Sequence, residues 1–164
     1  MLNMVQMSLL MVFHPLDSLD IIKRERAKFH PLRVLILLLL TVAVNYSYIF
    51  YVNYALSTKQ PSDANIFLEL AIVFIPLLTW VVAAYATTAV VTGECSFTEL
   101  LTGCAYCLVP LIITTPVFGL LSRILTAEEA GIYTGLQTIV LIWVGILLFL
   151  TLKKLNDYSF FKTV

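Results

Sequence analysis

Charge is scarce in this sequence. Of its 164 residues 12 % are charged, and 10 Lys and Arg cancel 10 Asp and Glu. So sparse and balanced a set leaves no basic footprint for nucleic acid, which excludes that class of partner. Cysteine is also scarce, and its count of 3 is odd. Cys95, Cys104 and Cys107 all lie in or beside one apolar segment, which is not an extracellular disulfide framework. The 2 histidines, His14 and His30, have no Cys or acidic cluster near them in sequence, so no metal site is expected. No G-x-S-x-G or P-loop pattern occurs. The opening MLNMVQMSLLMVF lacks a positive n-region and a small-residue cleavage site. No cleaved leader is therefore expected, and the first span should act as an uncleaved anchor.

What is present in quantity is apolar surface, at 60 % of residues. Long apolar runs at that frequency mark a polytopic, all-α membrane protein. A first span is predicted over 32–51, ending in an aromatic belt of Tyr46, Tyr48, Phe50, Tyr51 and Tyr54. Asn45 inside it is expected to bond a neighbouring helix. The polar turn 55–65, with Pro61, Ser62 and Asp63, leads to Asn65 as a cap. The second span, 66–91, should keep Glu69 hydrated at its start and bend at Pro76, with Thr79 helping to satisfy the freed backbone. Trp80 is too deep for a belt and is expected between helices. The last span is predicted over 132–152, with Gln137 and Trp143 inside, after a Thr126–Glu129 capping box.

The segment Ser96–Leu125 differs from the others. Ser96 and Glu99 form a capping-box pattern after the short turn Thr92-Gly93-Glu94-Cys95. Gly103, Cys104, Ala105 and Cys107 give a small-residue face, and Pro110 and Pro116 are expected to interrupt the helix. Two paths fit. The segment crosses once with a kink, giving four crossings, or it folds back between Pro110 and Pro116, giving five helices. Each arm of such a hairpin would hold about 14 residues, or ~21 Å, short of the ~30 Å hydrocarbon core.

Before the first span, Phe13-His14-Pro15-Leu16 recurs as Phe29-His30-Pro31-Leu32, each copy opening a helix. Pro15 suits a first helical turn; Asp17 and Asp20 follow, and Lys23, Arg24, Arg26 and Lys28 close it. With Leu16, Leu19 and Ile22 as a stripe, this reads as a short interfacial helix whose basic end meets anionic headgroups, or as a solvated flank that only sets orientation. The expected division is an interfacial segment 1–31, a transmembrane unit 32–153 and a tail 154–164. Lys23, Arg24, Arg26, Lys28 and Arg33 flank one end of the chain, and Lys153, Lys154 and Lys162 the other. The first loop has Lys59 alone, and the last loop sets Arg123 against Glu128 and Glu129. By the positive-inside rule both termini are expected in the cytoplasm, which favours four crossings.

The chain resembles the Yip domain family, named for interaction with Ypt/Rab GTPases, and especially its short bacterial members. The resemblance rests on Phe13-His14-Pro15-Leu16-Asp17, on Ser96-Phe97-Thr98-Glu99-Leu100 leading into Ala105-Tyr106-Cys107-Leu108-Val109-Pro110, on Leu121 to Thr126, and on Asp157-Tyr158-Ser159. Eukaryotic members typically carry Gly-Tyr-x-Leu-x-Pro at the centre, so Ala105 departs by one methyl. Their Asp-Leu-Tyr-Gly-Pro element before the first span is absent. The resemblance thus implies a helical membrane protein with a cytoplasmic amino terminus, usually drawn with five spans, more than it implies Rab binding.

Cys104-Ala-Tyr-Cys107 is a C-x-x-C, the pair that membrane thiol oxidoreductases use, but only Cys95 remains for an electron relay. Glu128-Glu129 resembles the paired glutamates of intramembrane prenyl-protein proteases, yet Tyr133 stands where those need Arg. No catalytic, cofactor or metal residue is expected. The favoured reading is a non-enzymatic scaffold or accessory subunit in a bacterial plasma membrane. It would bind other membrane proteins, among them a transporter, or a second copy of itself. Tyr106, Cys107, Pro110 and Pro116 are the packing motif; His14, Pro15, Asp17, Lys23, Arg24 and Arg26 are the interfacial candidates. The alternatives are an ABC-type transport component and a thiol oxidoreductase built on Cys104 and Cys107.

Overall fold

A computed structural model describes residues 4–24, 31–53, 56, 64–90 and 95–156. Arg26, Lys28, His30, Lys59, Pro61, Ser62, Asp63, Gly93, Glu94, Lys162 and the Asp157-Tyr158-Ser159 element lie outside the described residues. The described chain is helical: α1 (Met4–Phe13), α2 (Pro15–Arg24), α3 (Pro31–Tyr51), α4 (Ile66–Val90), α5 (Phe97–Tyr106), α6 (Val109–Leu121) and α7 (Ala130–Leu155). Four stretches are long and apolar enough to cross a membrane: α3, α4, α5 with α6, and α7. Their limits follow the hydrophobic runs closely, and Asn65 caps α4 by accepting from the Phe67 N–H at 2.9 Å.

The crossings alternate in direction. At one end Asn53, after α3, donates its N–H to Ser122 Oγ, after α6, at 3.0 Å. At the other end Asp20 of α2 pairs with Lys154 of α7 at 3.1 Å. There the Cys95 N–H also bonds Asn156 Oδ1 at 3.2 Å. The amino-terminal helices and the end of α7 therefore share one end of the bundle. Of the described basic residues, Lys23, Arg24, Arg33, Lys153 and Lys154 collect at this end, and Arg123 stands at the opposite one.

The third crossing is the centre. Half of its span window (50 %) is buried, against 17 % for α4 and α7. It crosses once. Cys107 and Leu108 keep right-handed helical dihedrals, so the chain bends there and does not reverse. Among the described residues there are four candidate spans, and the third is one kinked segment. Its break falls at Cys107–Leu108 because Pro110 has no N–H for the Tyr106 carbonyl and its ring crowds that carbonyl. The Leu108 N–H bonds Ala105 O instead, at 3.2 Å, a tightened turn. Pro116, expected as a second interruption, lies inside α6 without breaking it. Pro76 likewise leaves α4 unbroken.

Several sequence expectations change. The amino-terminal segment forms two helices, with the corner at His14. Leu19 and Ile22 of α2 are buried against the bundle with Ser18, whereas Leu16 is half exposed. Apolar α1 joins the same core through Met7 and Met11. Glu69 is only 4 % exposed rather than hydrated. Trp80 is 38 % exposed on the outer side of α4, which packs mainly on α3 and α5. Asn45 bonds Thr41 O of its own helix at 2.9 Å. Of the Thr126–Glu129 box the glutamate half forms, over a 3-10 turn at Ala127–Glu129, while the Glu129 N–H bonds Thr126 O and not the hydroxyl. In it Thr126 donates its N–H and Oγ1–H to Glu129 Oε2, at 3.0 and 3.3 Å.

The interhelical polar contact that the sequence assigned to Asn45 is made by Tyr48. Gln137 Nε2 donates to Tyr48 Oη at 2.9 Å, Tyr48 bonds Tyr133 Oη, and Tyr133 donates to Phe118 O at 3.3 Å. This chain joins α3, α6 and α7, and the Tyr133 ring meets Phe118 edge-on. Tyr48→Phe should lower stability in detergent by about 1–2 kcal/mol, because Gln137 is left without its acceptor. Gln137→Leu in the same chain should recover part of the loss, read from denaturant midpoints of the four members of the cycle.

Candidate functional site

The central motif sits where α5 gives way to α6. Ser96 opens α5 with the expected capping box: the Glu99 N–H bonds Ser96 Oγ at 3.3 Å and the Ser96 N–H bonds Glu99 Oε2 at 3.1 Å. One turn on, Gly103 faces α7. A Cβ built at Gly103 would lie 2.6 Å from Thr151 Cγ2, so only glycine allows this approach. Thr151 is held from two sides. Its Oγ1 donates to Leu147 O at 2.8 Å and lies 3.2 Å from Cys107 Sγ. With the hydroxyl proton engaged, the thiol is the donor.

Ala105, Tyr106, Cys107, Leu108, Val109 and Pro110 are all buried in this junction. Cys104 and Cys107 are both 0 % exposed, and Cys95 is buried as well. Tyr106, Cys107 and Pro110 therefore come together as sequence reasoning grouped them. Pro116 does not join them; it is exposed and lines a groove against α3. Thr151 is the member the sequence did not reveal. One threonine in an apolar span carries no signal, although Gly103 did announce a close approach by some neighbour.

The interfacial candidates divide in the same way. His14, Asp17 and Arg24 are exposed and Pro15 and Lys23 half-buried, while Arg26 lies outside the described residues. They do not converge on one point. Asp20 of α2 pairs with Lys154, a partly exposed contact worth under about 1 kcal/mol by itself. Beneath it Leu19 packs beside Gly103 and is fully buried.

Among the described residues, two grooves on the bundle surface bear on function. One, of about 330 Å³, runs between α3 and α6, with Ala43, Ser47, Thr115 and Gly119 along it and Tyr51 and Arg123 at its end. The other, of about 220 Å³, lies where Val12 of α1 meets Pro110, Ile113, Ile139 and Trp143. Val12 thus shares this groove with residues from the middle of α7. Among the described residues no group of three His, Cys, Asp or Glu is placed to hold a metal ion.

The Yip1 domain model matches residues 9–164, nearly the whole chain. No curated protein and no solved structure matches it.

Gly103→Ala should destabilise the bundle by about 1–3 kcal/mol through overpacking. Thr151→Ser removes the clashing methyl and keeps the hydroxyl. Combining it with Gly103→Ala should restore much of the loss, a non-additivity visible in thermal midpoints of the purified protein.

Proposed function

The chain belongs to the Yip1 domain family, and from that premise we infer that it is a non-enzymatic scaffold or accessory subunit that binds other integral membrane proteins. The observation that carries this reading is the use the chain makes of its motif. Tyr106, Cys107 and Pro110 are enclosed and engaged in holding the third crossing, leaving no reactive group of the motif presented to a substrate. The outward faces of α4 and α7 are uncovered apolar surface, with Ile72, Ile75, Leu78, Ile139 and Ile142 exposed. Partner helices, or a second copy, would pack on such faces by shape and small-residue contact.

A redox role for Cys104 and Cys107 would need at least one accessible sulfur, and both are enclosed. A transport role gains from a broken span when the irregular backbone lines a cavity. Here Cys107 and Leu108 are packed in the core. The setting we propose is a bacterial plasma membrane with both termini in the cytoplasm. The gathering of Lys23, Arg24, Arg33, Lys153 and Lys154 at one end supports that orientation.

Affinity purification at native expression should recover the protein with a membrane partner in fixed ratio. Recovery of monomer alone would count decisively against the scaffold. The Cys104→Ala, Cys107→Ala double variant should keep that partner; its loss from a folded double variant would favour thiol chemistry. A cysteine appended after Val164 should resist an impermeant maleimide applied to intact cells and react once the membrane is opened. Labelling from outside would overturn the orientation.

A further inference from the structure

We propose that the groove between α3 and α6 binds one acyl chain of an anionic phospholipid, with Arg123 holding the headgroup phosphate. Small side chains shape the groove. Gly119 packs on Tyr48 and Tyr51, while Ala43 and Ser47 keep the α3 side shallow. The lining residues Ala43, Ser47 and Pro116 are exposed, so the groove opens sideways onto what surrounds a membrane span. Its volume of about 330 Å³ lies at the lower end of small-ligand sites.

Length and charge select the occupant. From Tyr51 to Ala43 the helix rises about 12 Å, and from Arg123 to Thr115 a similar distance. That approaches the ~15 Å depth of one leaflet's hydrocarbon, half of the ~30 Å core. The groove therefore starts at the level of the headgroups and ends near the midplane, as one lipid chain does. At its outer end Arg123 donates Nε–H to Tyr51 O at 3.4 Å, which sets the guanidinium over the mouth. Its remaining N–H donors suit a phosphate, and among the described residues no carboxylate pairs with it. Of the two acids before α7, Glu129 is bonded to Thr126 and the exposed Glu128 forms no ion pair with Arg123 among the described residues. A neutral or purely apolar occupant would leave the cation unused.

The test uses the full chain in phosphatidylcholine vesicles containing a phosphatidylglycerol with a photoreactive group on one acyl chain. After irradiation, adducts should map to the α3 and α6 peptides that line the groove. Excess unlabelled phosphatidylglycerol should compete, and phosphatidylcholine should not. Arg123→Gln should lower the labelling about tenfold, the scale of one charge-assisted contact, and Arg123→Lys should keep most of it. Ala43→Phe should block the groove and abolish labelling with either residue at position 123. If that variant fails to fold, Arg123→Gln and the competition decide alone. Adducts spread evenly over α4 and α7, equal competition by phosphatidylcholine, or protein–protein crosslinks filling the groove with a second copy would each overturn the proposal.

Discussion

Among the described glycines the tightest approach is that of Gly103 to Thr151. Where a side-chain carbon would stand only 2.6 Å from the threonine methyl, α5 and α7 can meet through nothing larger than hydrogen. Lipid chains are as apolar as the residues they would replace, so burial gives helices in a bilayer little reason to associate. Close packing and hydrogen bonds must do it. This contact supplies both, because the same threonine receives the Cys107 thiol. The position of α2 depends on it too: Leu19 fills the space beside Gly103, and Lys154, one turn from Thr151 on α7, receives Asp20.

The opposite end of the bundle is fastened differently. The relay from Gln137 through Tyr48 and Tyr133 to Phe118 O ties three helices through four polar groups. Each would be costly if left unpaired in hydrocarbon. Between the two fastenings lies the bend at Cys107–Leu108. Beyond that bend α6 packs chiefly on α3 and also on α7, while α5 is shared among α7, α3, α4 and α2. The proline is then a device of direction, and the tightened turn from Leu108 N–H to Ala105 O marks where it acts.

Much of this was legible in the sequence, and what was not has a physical reason. Hydrophobic runs mark the spans because a helix in lipid must be apolar over its whole length. Ser96–Glu99 and Asn65 were readable because caps are local chemistry. Orientation of side chains was not. Trp80 faces out and Glu69 in, since a span apolar on all sides has no periodic stripe to tell core from lipid. The same uniformity concealed the roles of Tyr48 and Thr151, whose partners lie 85 and 44 positions away in sequence. Position 116 was misread for a related reason. A proline signals a lost hydrogen bond, but whether the helix breaks there depends on neighbours that lie elsewhere in the chain.

The distribution of burial bears on function more than any single residue does. Most of the described polar side chains inside the spans have internal partners, and the third crossing directs its small residues inward. What remains for the surroundings is the apolar flank of α4 and α7, the α3–α6 groove and two chemically unlike ends. One end carries Lys23, Arg24, Arg33, Lys153 and Lys154; the other carries Arg123, with Glu128 and Glu129 in the turn before α7. A molecule so arranged can recognise a neighbour by the shape of its flanks and by which way up it sits. Both fit the scaffold role proposed above. On that reading the enclosed Cys104 and Cys107 serve packing, holding α5 against α7 where the thiol of Cys107 meets Thr151.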